Sequence, residues 1–487
     1  MARILILGAG VAGHTAAQHA KRLLGNKHEI TVVSPNSKWN WIPSNIWVGV
    51  GKMKAEQVIF PLAPIYKRKK INFHQAKAVA IWPEGDSSDP TGAVDVVFTD
   101  PTKAGQTAKL RYDFLINATG PQLRFDLTPG LGPDQGNSLS VCTYGHATET
   151  AIKLKESIAK MKAGEKQTIV VGMGHGACTC EGAAFEYVFN VEHEVRDAGV
   201  RHMAEIIYLT NESELGDFGV GGMTFNIKGQ HVTSEQWMTD LFQERGVKVI
   251  DKAHVTSVDP GVVNYEQIDG TKGSQAFDFA MLLPPFRGVE MKAFNNAGED
   301  ISSTLFAPNG FMKVDADYTA KPYEQWSAAD WPKTYENPDY SNVFAVGIAF
   351  APPHAISKPN QTPSGNPVAP APPRTGMPAG VQGRAAAETV AKRIKSGDWS
   401  APAKTASMAD MGAACIASVG ADMLHGGAAT ITMGPIVPDR IKYPETGRNL
   451  DITSGELGLA GHWIKRLLHT MFIYKAKWLP GWSKIPE

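Results

Sequence analysis

A strand, a glycine turn and a helix follow one another at the very start of this chain, and that order constrains its fold more than any other feature. Residues 3–7, RILIL, are a continuous apolar run; Gly8-Ala9-Gly10-Val11-Ala12-Gly13 follows at once, and HTAAQHAKRLL then reads as a helix. This is G-x-G-x-x-G between strand and helix, the context in which the motif carries information. Gly8 permits the tight turn, Gly10 lets the backbone approach a pyrophosphate, and Gly13 lets the helix pack closely on the strand. The helix N-terminus adds N–H donors and a positive dipole end for phosphate charge. The next strand, HEITVVS, ends at Ser34, where an Asp or Glu usually holds a ribose. Ser34 or Asn36 can make that hydrogen bond instead.

At 487 residues the chain is too long for one core, so two or three domains are expected. Its 48 basic and 48 acidic residues balance, which gives no reason to expect a nucleic-acid partner. Four cysteines, Cys142, Cys178, Cys180 and Cys415, are too few for a disulfide scaffold. With a strand at the start of the sequence no cleavable secretory signal is expected, and no run reaches the ~18 apolar residues of a spanning helix.

A second α/β unit is expected over residues 150–290. It comprises the helix ETAIKLKESIAKM, the strand QTIVVG, the turn GHGACTCEG, the helix GAAFEYVFNVEHEVRDA and the strand AEIIYLT. The turn places Cys178 and Cys180 where a nucleotide fold would grip a phosphate. A glycine turn at a helix start is expected to lower their thiol pKa values through oriented N–H groups. With His175 they offer three donors and no second Cys pair, so no metal site is expected. Residues 351–378 are too proline-rich for anything but an extended loop. Near the C-terminus, GHWIKRLLHTMFIYKAKWLPGWSKIPE sets Trp463, Ile464, Leu467, Leu468, Met471 and Phe472 at helical spacing among Lys465, Arg466, His469, Lys475 and Lys477. This is the composition of a helix lying in a membrane interface; closing the protein's own core is the alternative.

Two further segments resemble fingerprints of two-dinucleotide-domain, glutathione-reductase-like flavoproteins. YDFLINATGP runs a strand into Ala118-Thr119-Gly120, and NVFAVGIA ends a strand at Gly347, beside which that family holds the flavin ribityl chain. Three fingerprints in this order imply FAD at the first site. The chain as a whole resembles the sulfide:quinone oxidoreductases, through ILGAGVAG, PSNIWVGVG, INATGP, SVCTYGHATETA, GACTCEGAAFEY, LLPPFRGV, FAVGIAFAPP and PPRTGMPAG. The resemblance implies an α/β fold with two Rossmann-like domains and a C-terminal amphipathic region at a membrane surface. The FAD domain would take residues 1–125 and 320–395, and the quinone and membrane region 400–487.

In that family sulfide attacks a cysteine disulfide or polysulfide on one flavin face and two electrons pass to quinone on the other. Carried onto this chain, Cys178 or Cys180 matches the catalytic cysteine, and Cys142 matches a cysteine that can tether the flavin. His146 and Glu186 become candidate proton carriers. Arg374, followed by Thr375, replaces a lysine facing the flavin; Asp217 stands where members have a second histidine; Ala349 or Phe350 stands where they have a second catalytic cysteine. Cys415 matches a non-catalytic cysteine. Phe350, Trp463 and Phe472 are candidate quinone-lining residues. The implied partners are sulfide or polysulfide, quinone and the membrane surface, with homo-oligomerisation left open and the protein placed peripherally (monotopically) on either membrane face.

Two competing functions follow from the same residues. Gly172, Gly174 and Gly176, with Glu212 after the next strand, would suit a flavin-dependent NADH:quinone reductase. A missing second catalytic cysteine would suit a flavoprotein that relays electrons or binds a partner without turnover.

Overall fold

The first strand, β1 (Arg3–Leu7), is buried from Ile4 to Leu7, as a strand covered on both faces must be. The structure, a computed structural model, describes residues 1–134, 136–179, 181–227, 229–420 and 426–487. Gly8 turns the chain at φ +94°, and α1 (Val11–Leu24) leaves with no side-chain cap on its N-terminus. Parallel strands β2 (Glu29–Ser34) and β3 (Asn72–Trp82) extend the sheet on one side, and β4 (Ala93–Phe98) and β5 (Thr107–Arg111) continue it antiparallel. On the other side of β1 lies β6 (Phe114–Asn117), also parallel.

The chain then builds a second parallel sheet. Helix α2 (Tyr144–Lys162) is capped by Thr143, whose hydroxyl accepts from the His146 amide. Then come β7 (Gln167–Met173), α3 (Glu181–Asp197), β8 (Ala204–Leu209), β9 (Lys248–Ile250) and β10 (Phe279–Leu283), in the sheet order β9-β8-β7-β10. The cysteine turn therefore occupies the crossover from β7 to α3, at the carboxyl end of the strands. That is where open α/β sheets place their ligands.

Strand β11 (Val343–Ala345) returns to the first sheet beside β6, so that sheet is assembled from distant pieces of chain. Helix α4 (Gly376–Ser396) then packs on α1 with very little clearance. A Cβ on Gly383 would lie 2.2 Å from the Ala12 carbonyl oxygen. An antiparallel sheet of β12 (Ala413–Val419), β13 (Gly427–Met433) and β14 (Ser454–Gly458) follows, leading into α5 (Leu459–Ala476).

Helix α5 wears its apolar side outward. Trp463, Ile464 and Leu467 are about half exposed, while His462, Lys465 and Lys475 are buried. Two of the lysines read as outward positive charge therefore point inward. No helix among the described residues is long and apolar enough to cross a membrane. The end of α5 is tied to α1: Gln18 donates to the Lys475 carbonyl at 2.6 Å, and His14 Nε2 lies 2.7 Å from the Ala476 carbonyl oxygen. A carbonyl only accepts, so Nε2 carries the proton and the Tyr66 hydroxyl donates to Nδ1 at 2.8 Å. Burial holds this imidazole neutral, lowering its pKa to about 4.

Candidate active site

Three of the segments singled out in the sequence meet at the start of α1. A Cβ on Gly8 would lie 2.1 Å from the Ala118 oxygen, and one on Gly13 would lie 2.1 Å from the Gly8 oxygen. Gly347, at φ +67°, abuts Ala12 and donates its amide to Gln382. Around Gly10, by contrast, an added Cβ meets nothing within 4 Å. The first-turn amides of α1 have no intrahelical partner and no side-chain cap, so the helix presents free donors to open space. This is a cradle that fits a dinucleotide pyrophosphate. Ser34 is buried at the end of β2 and its hydroxyl accepts from the Asn36 amide at 3.3 Å; Asn36 itself is exposed. Thr119 donates to Asn117, and Gly120 follows in an open turn.

Thr375 precedes α4 as a second helix start without a side-chain cap. Arg374 beside it is buried, donates to the Ile348 and Phe350 carbonyls at 2.8 and 2.7 Å, and lies over the Phe311 ring at 4.2 Å. Its charge is thus held beside the Gly347 turn. A groove of about 440 Å3 opens next to this helix start, lined by Met377, Ala413, Ala414, Thr432, Met433 and Ile452.

The cysteine turn has different chemistry. Cys178 is fully buried, carries a free thiol and donates it to the Leu283 carbonyl at 3.1 Å. Cys180 lies outside the described residues. Two amides of the turn are already used: Ala177 donates to His175 Nδ1 and Cys178 to the His175 carbonyl. His254 Nδ1 lies 3.0 Å from the Pro367 carbonyl, which only accepts, so this nitrogen carries the proton and ties the ring to the proline-rich segment. The proline-rich segment lies directly on the turn, with the Ala369 and Ala371 amides donating to the Gly176 and Cys178 carbonyls at 2.8 and 2.9 Å. Pro367 O would sit 1.7 Å from a Cβ on Gly176, and Asn211 Nδ2 holds both turn carbonyls from below.

The expectation of a lowered thiol pKa is reversed at Cys178. Burial pushes this thiol well above its ordinary value, and the neighbouring Glu181 adds to the effect. The His175 and Gly174 backbone N–H groups favour the thiolate but are outweighed.

Cys142 is partly buried, its thiol pushed up to about 11 by burial, and it lies within electrostatic reach of Cys178. His146 packs edge-on against Phe125 with Nδ1 buried and unpartnered; burial lowers its pKa. Glu186 is buried in an ion pair with Lys465, and the Ser418 amide donates to it at 3.2 Å. The three candidate quinone-lining residues fall in different surroundings. Phe350 packs edge-on to Tyr335 in the core, Phe472 stacks on Trp41 at 4.7 Å, and Trp463 faces outward. Cys415 Sγ would be 3.1 Å from a Cβ on Gly182, so it packs on the first turn of α3. Among the described residues no cluster of His, Cys, Asp or Glu is arranged to hold a metal.

The sequence reading passed over the inward role of Lys465 and the buried acid Glu181; it noted Glu212 only as an acid after the second-unit strand and Asp217 only as a substitution. Helical spacing offered a signal for Lys465, which shares a face with His462 and His469 at offsets of three and four residues.

Residues 2–218 match the family model described as pyridine nucleotide-disulphide oxidoreductase. The chain is 28% identical over 474 residues to the sulfide-quinone reductase of Aquifex aeolicus, spanning 97% of this chain and 91% of that protein. The crystal structure of the sulfide:quinone oxidoreductase of this bacterium has a TM-score of 0.75 to it at 26% identity, covering 98% of this chain and 92% of that one. A mitochondrial sulfide:quinone oxidoreductase of Dictyostelium discoideum is 22% identical over 351 residues, 71% of this chain and 64% of its own length. NDH2 from Plasmodium falciparum, at 12% identity and a TM-score of 0.61 over 98% of this chain and 96% of its own, shares the fold. Fold, fingerprints and near full-length similarity agree: the chain has the pyridine nucleotide-disulphide oxidoreductase fold and is similar, over nearly its whole length, to the sulfide:quinone oxidoreductases.

Proposed function

We propose that this protein is an FAD-dependent oxidoreductase at a membrane surface that oxidises sulfide, or a related low-valent sulfur species, and reduces quinone. The observation that carries the reading is the cysteine turn itself. The Ala177 and Cys178 amides are spent within the turn and the proline-rich segment is hydrogen-bonded across its carbonyls, which leaves the turn less able to hold the pyrophosphate of a nicotinamide cofactor. The second nucleotide turn is thereby available for thiol chemistry.

FAD bound at Gly8–Gly13 would supply a two-electron acceptor. The chain's own residues do the rest. Cys178 and Cys180 form the sulfur centre, closing a disulfide or polysulfide bridge within one turn when oxidised. Arg374 holds positive charge at the end of the site where Gly347 and α4 meet, and Cys142 tethers the cofactor. Quinone enters beside Phe350 from the groove at Met377. The outward Trp463 and the helix carrying Phe472 hold the protein against the lipid.

Replacing Cys178 or Cys180 by Ser tests the reading. Each variant is expected to keep its FAD and lose sulfide-driven bleaching of the flavin. Unchanged bleaching in both would contradict it.

A further inference from the structure

Around the cysteine turn the structure leaves several buried polar atoms unsatisfied. Thr179 Oγ1, both carboxyl oxygens of Glu181 and Asn211 Oδ1 have no hydrogen-bond partner among the described residues, although all three residues are almost fully buried. Folded proteins rarely tolerate this, and where they do the group commonly has a chemical task. Glu181 is the extreme case. It is 0% exposed, and the help its own amide gives the ionised form is outweighed by burial and by the neighbouring Glu212 and Asp217. An ionised carboxylate in that position would carry nearly the full cost of burial, so the group keeps its proton.

The surroundings hold the proton in place. Glu212 and Asp217 face Glu181 after β8, and each is already engaged as an acceptor. Glu212 takes the Thr210 hydroxyl and the Phe218 amide, both at 2.8 Å; Asp217 takes the Ser357 hydroxyl and the Gly219 amide. Tyr208 and Cys178 complete that side. From β12 Cys415 packs on the adjacent Gly182, and one turn along α3 the cation Lys465 is committed to Glu186.

We propose that Glu181 is the proton donor of the cysteine turn, protonating the sulfur that leaves when the oxidised bridge is opened. The proposal deepens the sulfide reading and rests on it. Hydrosulfide attacks one sulfur of the bridge; a new S–S bond forms, the bridging S–S bond breaks, and its electron pair leaves on the other cysteine as a thiolate. Glu181 gives that thiolate its proton and recovers one from the S–H of the new persulfide. The net change is HS⁻ plus bridge to persulfide anion plus thiol, with no electron leaving sulfur in this step.

The test is anaerobic mixing of the FAD-loaded protein with sulfide, following flavin bleaching from about pH 6 to about pH 9, for wild type, Glu181→Gln and Glu181→Asp. Gln keeps shape and neutrality but cannot give a proton, so bleaching should slow at least ~10²-fold with the half-saturating sulfide concentration unchanged, and Asp should restore part of the rate. A Glu181→Gln protein that bleaches like wild type across this range overturns the proposal. An infrared measurement on the same proteins is independent of turnover. A protonated-carboxyl band at neutral pH that Glu181→Gln removes and Glu212→Gln leaves supports the assignment; absence of such a band overturns it. Wild-type protein that sulfide does not bleach would instead count against the sulfide reading, and the infrared result would still decide the state of Glu181.

Discussion

Lys465 turns away from the apolar outer face of α5 and closes both oxygens of the Glu186 carboxylate into a buried ion pair, donating also to the Ile416 carbonyl at 2.9 Å. The helix proposed to meet the membrane is thus bonded directly to the helix that follows the cysteine turn. Burial raises the Glu186 pKa and the ammonium opposes that rise.

Lys465→Met should leave Glu186 buried and uncompensated, lowering stability by about 3–5 kcal/mol in urea denaturation. Adding Glu186→Gln to that variant removes the orphaned charge and should recover most of the loss.

Gly10 and Gly13 should separate cofactor binding from folding. Gly13→Ala drives a Cβ into the Gly8 backbone and should destabilise the protein by about 1–3 kcal/mol or more with or without FAD. Gly10→Ala meets only open space. Its cofactor-free stability should match wild type while its FAD affinity falls, as read by fluorescence titration.

Stability should carry the mark of Glu212. Burial raises this carboxyl from an ordinary 4.5 to about 7, so between those values the folded protein holds a proton that the unfolded chain has released. The contribution is fully present below about pH 4.5 and is lost as pH rises through about 7. Glu212→Gln should therefore gain on wild type by up to about 3 kcal/mol in going from about pH 5 to about pH 8. Parallel denaturation curves at the two pH values check it.

Cys142 is expected to keep the yellow colour on the chain after acid denaturation, and Cys142→Ser to release it. Loss of colour from wild type would remove the tether from the account.

Much of this architecture is legible in the residues because local signals and tertiary context agree. RILIL followed by G-x-G-x-x-G can hardly be anything but a strand and a phosphate turn, and the helix expected from Gly182 to Ala198 is found at Glu181–Asp197. The β12–β14 sheet was missed. Its strands are runs of Ala, Gly, Ser and Thr such as GAATITM, with too few bulky residues to show a period of two. The site was legible as a list of residues but not as electrostatics. A glycine turn before a helix suggests an acidic thiol, yet the pKa of Cys178 is set by complete burial and by Glu181, and Lys465 was read as outward charge because pattern alone does not say which face meets the core. The proline-rich segment, expected as an extended loop over 351–378, is irregular for most of its length but pairs Asn360–Gln361 with Pro367–Val368 and enters α4 at Gly376; its place on the cysteine turn depends on long-range hydrogen bonds that no local pattern encodes.

The most direct measurement is a comparison of reductants. The FAD-loaded protein is mixed anaerobically with sulfide and, separately, with NADH, and flavin absorbance is followed in each case. Rapid bleaching by sulfide, reversed by a soluble quinone, with slow or no bleaching by NADH, is the result this account predicts. Rapid bleaching by NADH with none by sulfide would contradict it.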